Sequence, residues 1–152
     1  MMGLSDEFFM ACALNEAKWA ANKGEVPVGA CLVAPGKGII AAAGNMPIQL
    51  SDPTAHAEIL ALRKAAEQIK NYRLGGLTLY CTLEPCVMCA GALVNARISR
   101  LVFGALDPRF GAIESKFRLC NSVDLNHRLE IISGVLAEEC SSLIKDFFRL
   151  RR

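Results

Sequence analysis

Three observations predict an α/β domain with helices on both faces of a sheet. Short apolar runs recur along the chain, as at Val28–Val33, Leu77–Cys81 and Arg100–Gly104. Longer stretches carrying helix signals separate them, the pattern of strands alternating with helices. The 152 residues are 53% hydrophobic and 21% charged, enough to bury one core. A single domain over residues 1–152 is expected, with five strands in its sheet.

Ser5 is placed to cap a first helix, with Asp6 and Glu7 facing the positive end of its dipole. From Phe8 to about Ala21 the chain is rich in alanine and long side chains, and Asn22-Lys23-Gly24 ends the helix. Val28–Val33 reads as a buried strand, Pro35-Gly36-Lys37-Gly38 as a turn, and Ile39–Ala43 as the returning strand of a hairpin. A polar connection from Gly44 to Pro53 leads to a helix beginning near Thr54 or Ala55 and running to about Gln68. That start puts His56 and Glu58 in its first turn. Leu77–Cys81 is a third strand, and Pro85 suits a helix start over Cys86 to about Asn95. Arg100–Gly104 is a fourth strand. Asp107 to about His127 is irregular, and a connection of that length is more often functional than idle. Leu129–Ile132 is a short strand, and Ala137–Arg151 a final helix with Leu143, Phe147 and Leu150 on one side.

A net charge of +2 does not by itself announce a nucleic-acid binder. No apolar run reaches the roughly 20 residues that cross a bilayer, so no membrane partner is expected. Met1-Met2-Gly3-Leu4-Ser5 lacks the basic and apolar regions of a secretory signal. Seven cysteines make an odd count without a disulfide-like framework. Cys12, Cys31, Cys81, Cys120 and Cys140 lie among apolar neighbours and read as small buried hydrophobes. A reducing, cytoplasmic location fits best.

The chemistry concentrates in Thr82-Leu83-Glu84-Pro85-Cys86-Val87-Met88-Cys89, answered upstream by His56-Ala57-Glu58. Cys86 and Cys89 are spaced to bring two thiolates onto one metal ion, and His56 supplies a third donor. A Cys2His set leaves a fourth tetrahedral position open, as in catalytic zinc sites. Zinc bound this way lowers the pKa of a water to about 7. A hydroxide then becomes available to attack an electron-poor ring carbon bearing an amino group. Glu58 is the candidate to take that water's proton and return it to the ring nitrogen and the departing ammonia.

A C-x-x-C alone is also compatible with half of a structural zinc site or a redox pair. A structural site wants a fourth ligand, and the other histidine, His127, has no spacing partner. A redox pair leaves His56 and Glu58 unexplained. The pattern H-x-E…P-C-x-x-C is the established signature of zinc-dependent base deaminases.

Within that class the chain resembles the bacterial tRNA-specific adenosine deaminases. The resemblance runs from Glu25–Ala30 through Pro53–Glu58, Thr82–Ala92, Val102–Ala105 and Asn126–Arg128 to Asp146–Arg152. It implies a three-layer α/β/α cytidine-deaminase-like domain with a mixed sheet, one Zn2+ per subunit, and a homodimer. It implies hydrolysis of adenosine to inosine at the wobble position of a tRNA anticodon, chiefly in an arginine tRNA. It also implies that Asn45 hydrogen-bonds the target nucleotide and Val28 lines its pocket. Asp107 and Arg109 would lie near the anticodon loop, with Phe148, Arg149, Arg151 and Arg152 on flanking nucleotides.

Elementary physics agrees in outline, because RNA loops are read by splaying bases against aromatic side chains while cations hold phosphates. The tail supplies both types in Lys145, Phe147, Phe148, Arg149, Arg151 and Arg152. It also reads as an amphipathic helix with its phenylalanines packed inward, and Asn45 as an ordinary turn residue. Two departures from the family pattern touch the RNA side: Glu114 adds a negative charge, and Met46 stands where an arginine is common. The competing readings are a deaminase of a free base or nucleoside, of guanine or cytosine type, and a non-catalytic zinc-stabilised RNA-binding subunit. The tail argues against the first and Glu58 against the second.

Overall fold

The computed structural model describes residues 4–151. Arg152, the last cation expected on RNA, lies outside the described residues, as do residues 1–3. Five strands form one mixed sheet in the order β2-β1-β3-β4-β5. They are β1 (Gly29–Ala34), β2 (Gly38–Gly44), β3 (Thr78–Leu83), β4 (Arg100–Ala105) and β5 (Glu130–Ser133). β1 pairs antiparallel with β2 and β3, while β3, β4 and β5 run parallel. The helices are α1 (Asp6–Asn22), α2 (Pro47–Leu50), α3 (Ala57–Ile69), α4 (Val87–Asn95) and α5 (Ala137–Arg149).

Alternation along the central strands divides the core into two layers. Ala30, Leu32, Leu79, Cys81, Leu101 and Phe103 point to one side, where Ala61, Leu62, Ala90 and Leu93 of α3 and α4 cover them. Cys31, Tyr80 and Val102 point to the other, against Phe9, Met10 and Ala13 of α1 and Cys140 of α5. Helices on both faces were expected from the strand–helix alternation, and this is the arrangement found. At Gly29 the backbone of β1 approaches α1 so closely that a Cβ would lie 1.9 Å from the Ala13 carbonyl oxygen. Only glycine fits there.

Between β4 and β5 the crossover is irregular instead of helical. Ala112, Ile113, Cys120 and Leu129 pin it to the α3/α4 layer. The expected irregular region is therefore real, and it is packed. Of the five cysteines read as buried hydrophobes, Cys31, Cys81, Cys120 and Cys140 are buried and Cys12 is half-buried; all seven are free thiols. His127 bonds through Nε2 to the Ile98 carbonyl at 2.8 Å, which ties the segment before β5 to the end of α4. Among the described residues no helix is long and apolar enough to cross a membrane.

Three boundaries depart from expectation. The polar connection after β2 contains α2, whose N-terminal amides of Ile48 and Gln49 donate to the Glu25 carboxylate at 3.2 and 2.9 Å. A carboxylate from far upstream thus satisfies a helix end that local sequence leaves open. Helix α3 begins at Ala57, because Thr54 is held in a turn by the Asp52 carboxylate at 2.8 Å. At the other end of the chain, α5 closes at Arg149. Phe147 is buried and Leu143 half-buried, but Leu150 follows the last turn and is exposed, against the expectation that all three share one side.

The first turn of α1 is tied to the sheet by Asp6, which accepts from Arg100 at 2.9 and 2.7 Å and from the Tyr80 hydroxyl at 2.7 Å. The Arg100 guanidinium, more than the tyrosine, holds Asp6 below its ordinary value of 3.8. A carboxylate depressed on folding contributes stability above its unfolded pKa and loses it as pH falls through the folded one. Asp6→Asn is therefore expected to cost about 1–2 kcal/mol at pH 7. The gap to the parent in thermal midpoint should close as pH falls below about 4. A gap unchanged at pH 3 would remove the charged pair as its cause.

Candidate active site

His56 and Cys86 occupy the N-cap positions of α3 and α4, one residue before the helices in which they were expected. Both have extended backbones and make no capping bond of their own. The place of a cap on α3 is taken by Asn45, whose Oδ1 accepts from Ala57 N–H at 3.2 Å. The imidazole is left free to face α4. Cys89 sits three residues beyond Cys86, on the same side of the first turn, since positions three apart are neighbours on a helix.

The three side chains meet. His56 Nδ1 is 3.7 Å from Cys86 Sγ and 3.5 Å from Cys89 Sγ. All three donor atoms lie within 4.8 Å of one another. The Cys89 thiol, and after it His56, hold Cys86 down to about 4. The same contact with Cys86, together with burial, pushes Cys89 up. Hydrogen bonding to Cys86 raises His56 against the opposing effect of burial. Two sulfurs this close cannot both ionise without a cation between them. A dication removes that conflict, and soft sulfur with imidazole is the donor chemistry that zinc takes. The residues fit a zinc ion with a fourth position left over.

Glu58, in the first turn of α3, is 4% exposed. Burial raises its pKa above the usual carboxylate range, and the Cys86 charge adds to this against opposition from its own backbone amide and His56. A buried carboxylate beside metal donors is poised to carry a proton.

The site opens into a cavity of about 930 Å³. Val28, Asn45, His56, Glu58, Cys86, Asp107, Arg109, Phe148 and Arg151 all line it, as do Lys145 and Phe110. Cys89 lies behind this wall, fully buried. Most residues singled out in the sequence are thus brought together. Arg149 is not. It points to solvent and pairs with Asp146 at 3.1 Å. Phe147 packs inward with the Arg151 guanidinium 3.5 Å from its ring centroid, and Phe148 remains 44% exposed. Glu114 is exposed and outside the cavity lining.

Sequence reasoning missed Glu84. It is 2% exposed and its carboxylate accepts from the amides of Asp107 at 3.0 Å, Ile113 at 3.0 Å, Glu114 at 2.7 Å and Ser115 at 2.9 Å, and from the Ser115 hydroxyl. Those bonds, led by the Glu114 amide, outweigh burial and hold Glu84 below the usual carboxylate range. The irregular region is wrapped around this one anion. Gly111 is part of the fit, since a Cβ there would lie 2.3 Å from the Glu84 carboxyl carbon. Asp107 likewise serves its own loop, accepting from the amides of Arg109 and Phe110 at 3.1 and 3.3 Å. The signal that could have found Glu84 is a carboxylate fixed between a strand and a Pro-Cys turn, where solvent is scarce.

The profile of the cytidine and deoxycytidylate deaminase zinc-binding region matches residues 4–105. The tRNA-specific adenosine deaminase of Haemophilus influenzae is 55% identical over 147 residues, covering 97% of this chain and 85% of that protein. Its namesake from Bacillus subtilis is 47% identical over 144 residues, covering 95% of this chain and 89% of that protein. A solved structure from studies of A-to-I editing by tRNA:A34 deaminases at the wobble position of transfer RNA is similar, with a TM-score of 0.86 and 46% identity. The match covers 90% of this chain and 98% of that one.

Proposed function

We propose, on the premise that this chain belongs to the zinc-binding cytidine and deoxycytidylate deaminase family and within it to the tRNA-specific adenosine deaminases, that it converts adenosine to inosine at the wobble position of a tRNA anticodon. An arginine tRNA is the proposed substrate, and a cytoplasmic homodimer with one deaminase domain per chain the working form. One observation carries the chemistry: a buried carboxylate, Glu58, stands beside three convergent metal donors at a cavity large enough for a nucleoside.

Zinc held by His56, Cys86 and Cys89 supplies Lewis-acid chemistry that makes water a nucleophile near neutral pH. The chain's own groups do the rest. Glu58 accepts the proton that water gives up on adding to C6 and delivers it to N1 of the purine, then carries that water's second proton to the amino group. Ammonia leaves and inosine remains, so one water enters for each ammonia released. Asn45, its oxygen already engaged by Ala57, turns its NH2 donors to the nucleotide. Val28 gives the base an apolar wall. Arg109, Lys145 and Arg151, all on the cavity lining, draw in the phosphates of a loop, and Asp107 keeps Arg109 in place. Phe148 offers a face to a flanking base, and Arg149 adds charge outside the cavity.

An anticodon stem-loop with adenosine at the wobble position, offered beside free adenosine, cytidine, cytosine and guanine, tests the reading. Inosine formed in the stem-loop alone is expected. Turnover of a free base with an untouched stem-loop would leave the zinc chemistry standing and replace the substrate.

A further inference from the structure

Phe110 is an aromatic side chain that the proposed chemistry does not use. It is 66% exposed, more than any other phenylalanine among the described residues, and it lines the same cavity as Glu58. A solitary exposed apolar residue needs no explanation. Phe110 is not solitary, because Leu106, 53% exposed, stands on the same cavity wall, and Phe148 lines the cavity as well.

The segment carrying Phe110 is also held rigidly. Its own amide donates to Asp107 Oδ1 at 3.3 Å, and the next amide, of Gly111, donates to the Asp107 carbonyl at 2.9 Å. Asp107 is anchored in turn by its amide to Glu84 at 3.0 Å. The backbone that carries the exposed ring is thus fixed, through Asp107 and the buried Glu84 carboxylate, before anything binds. Little ordering entropy is then left to lose on binding.

The surroundings indicate the occupant. Six charged side chains other than His56 line the same cavity. Glu58 and Glu84 are buried and Asp107 accepts from the amides of its own loop, whereas Arg109, Lys145 and Arg151 are exposed. The charge presented to what enters is therefore positive and suits an anion with flat apolar faces. Unpaired nucleotides combine the two, and stacking of bases on aromatic rings with cations on the backbone is how single-stranded nucleic acid is held. Resting on the reading above, we propose that Phe110 is a stacking platform for an unpaired base flanking the reacting nucleotide, and so a determinant of which loop sequences are accepted.

The test uses the zinc-loaded full chain with Phe110 replaced by Ala, Leu or Trp, and an anticodon stem-loop with 2-aminopurine at each nucleotide flanking the target in turn. Phe110→Ala and Phe110→Leu are expected to raise Kd and KM for the stem-loop by about 5- to 150-fold. Phe110→Trp should restore binding. Quenching of 2-aminopurine on complex formation should be lost at one flanking position in Phe110→Ala and retained in Phe110→Trp. Parent-like binding by Phe110→Leu would show that only an apolar lip is needed and would overturn stacking, as would parent-like Kd in Phe110→Ala. The parent protein runs in the same assay. Its failure to bind the stem-loop would bring down the tRNA reading and this inference with it, whereas parent binding indifferent to Phe110 would remove the inference alone.

Discussion

Glu58→Gln is expected to lower deamination by about 10²- to 10⁴-fold, the range that positioned proton transfer contributes. The substitution keeps the size of the side chain and removes its ability to carry a proton. His56, Cys86 and Cys89 are untouched, so bound zinc should be unchanged by elemental analysis. Glu58 lines the cavity, but glutamine keeps the shape of that wall, so the stem-loop should bind as before. Rate, metal content and RNA affinity together make the prediction specific. A loss of all three would mean that the variant had damaged the site as a whole. Parent-like turnover would take the proton-carrying role away from Glu58.

Cys86→Ala should reduce activity by at least about 10²-fold, through the metal. It leaves only His56 and Cys89 as donors, and although the contact with Cys86 that does most to push the Cys89 thiol toward the neutral form is gone, burial still acts in that direction. Metal content should fall with activity. Chelation of the parent protein should reproduce both losses and lower the thermal midpoint, because an ion bound only to the folded chain stabilises it by mass action. Added zinc should restore activity and midpoint to the chelated parent and restore neither to Cys86→Ala. Full turnover by metal-free parent protein would dispose of the zinc chemistry.

The local parts of this protein are the legible ones. Val28–Val33, Leu77–Cys81 and Arg100–Gly104 are apolar because both of their faces are covered, and the observed strands agree with them to within two residues at each end. The spacing of Cys86 and Cys89 is read from one helical turn, and His56 with Glu58 from another. Helix starts were misplaced by one to three residues at α3 and α4, and at α3 the capping group is remote. Asn45 caps α3 from twelve residues upstream, and no local signal announces it. The phase of the last turn of α5 was equally hidden. Leu150 looks like a core residue in the sequence, yet the helix has already closed at Arg149.

By itself the sequence determined the strand–helix alternation and the two local motifs, His56-Ala57-Glu58 and Cys86-Val87-Met88-Cys89, each of which lies within about one helical turn. Tertiary structure alone decided that Glu25 would hold α2, that Glu84 would gather the amides of residues 107–115, and that Phe110 but not Arg149 would line the cavity. The reason is that a buried backbone N–H must find an acceptor, but the acceptor can come from anywhere the fold brings near. A carboxylate more than twenty residues away satisfies it as well as a neighbour does, and only the folded chain shows which one arrives.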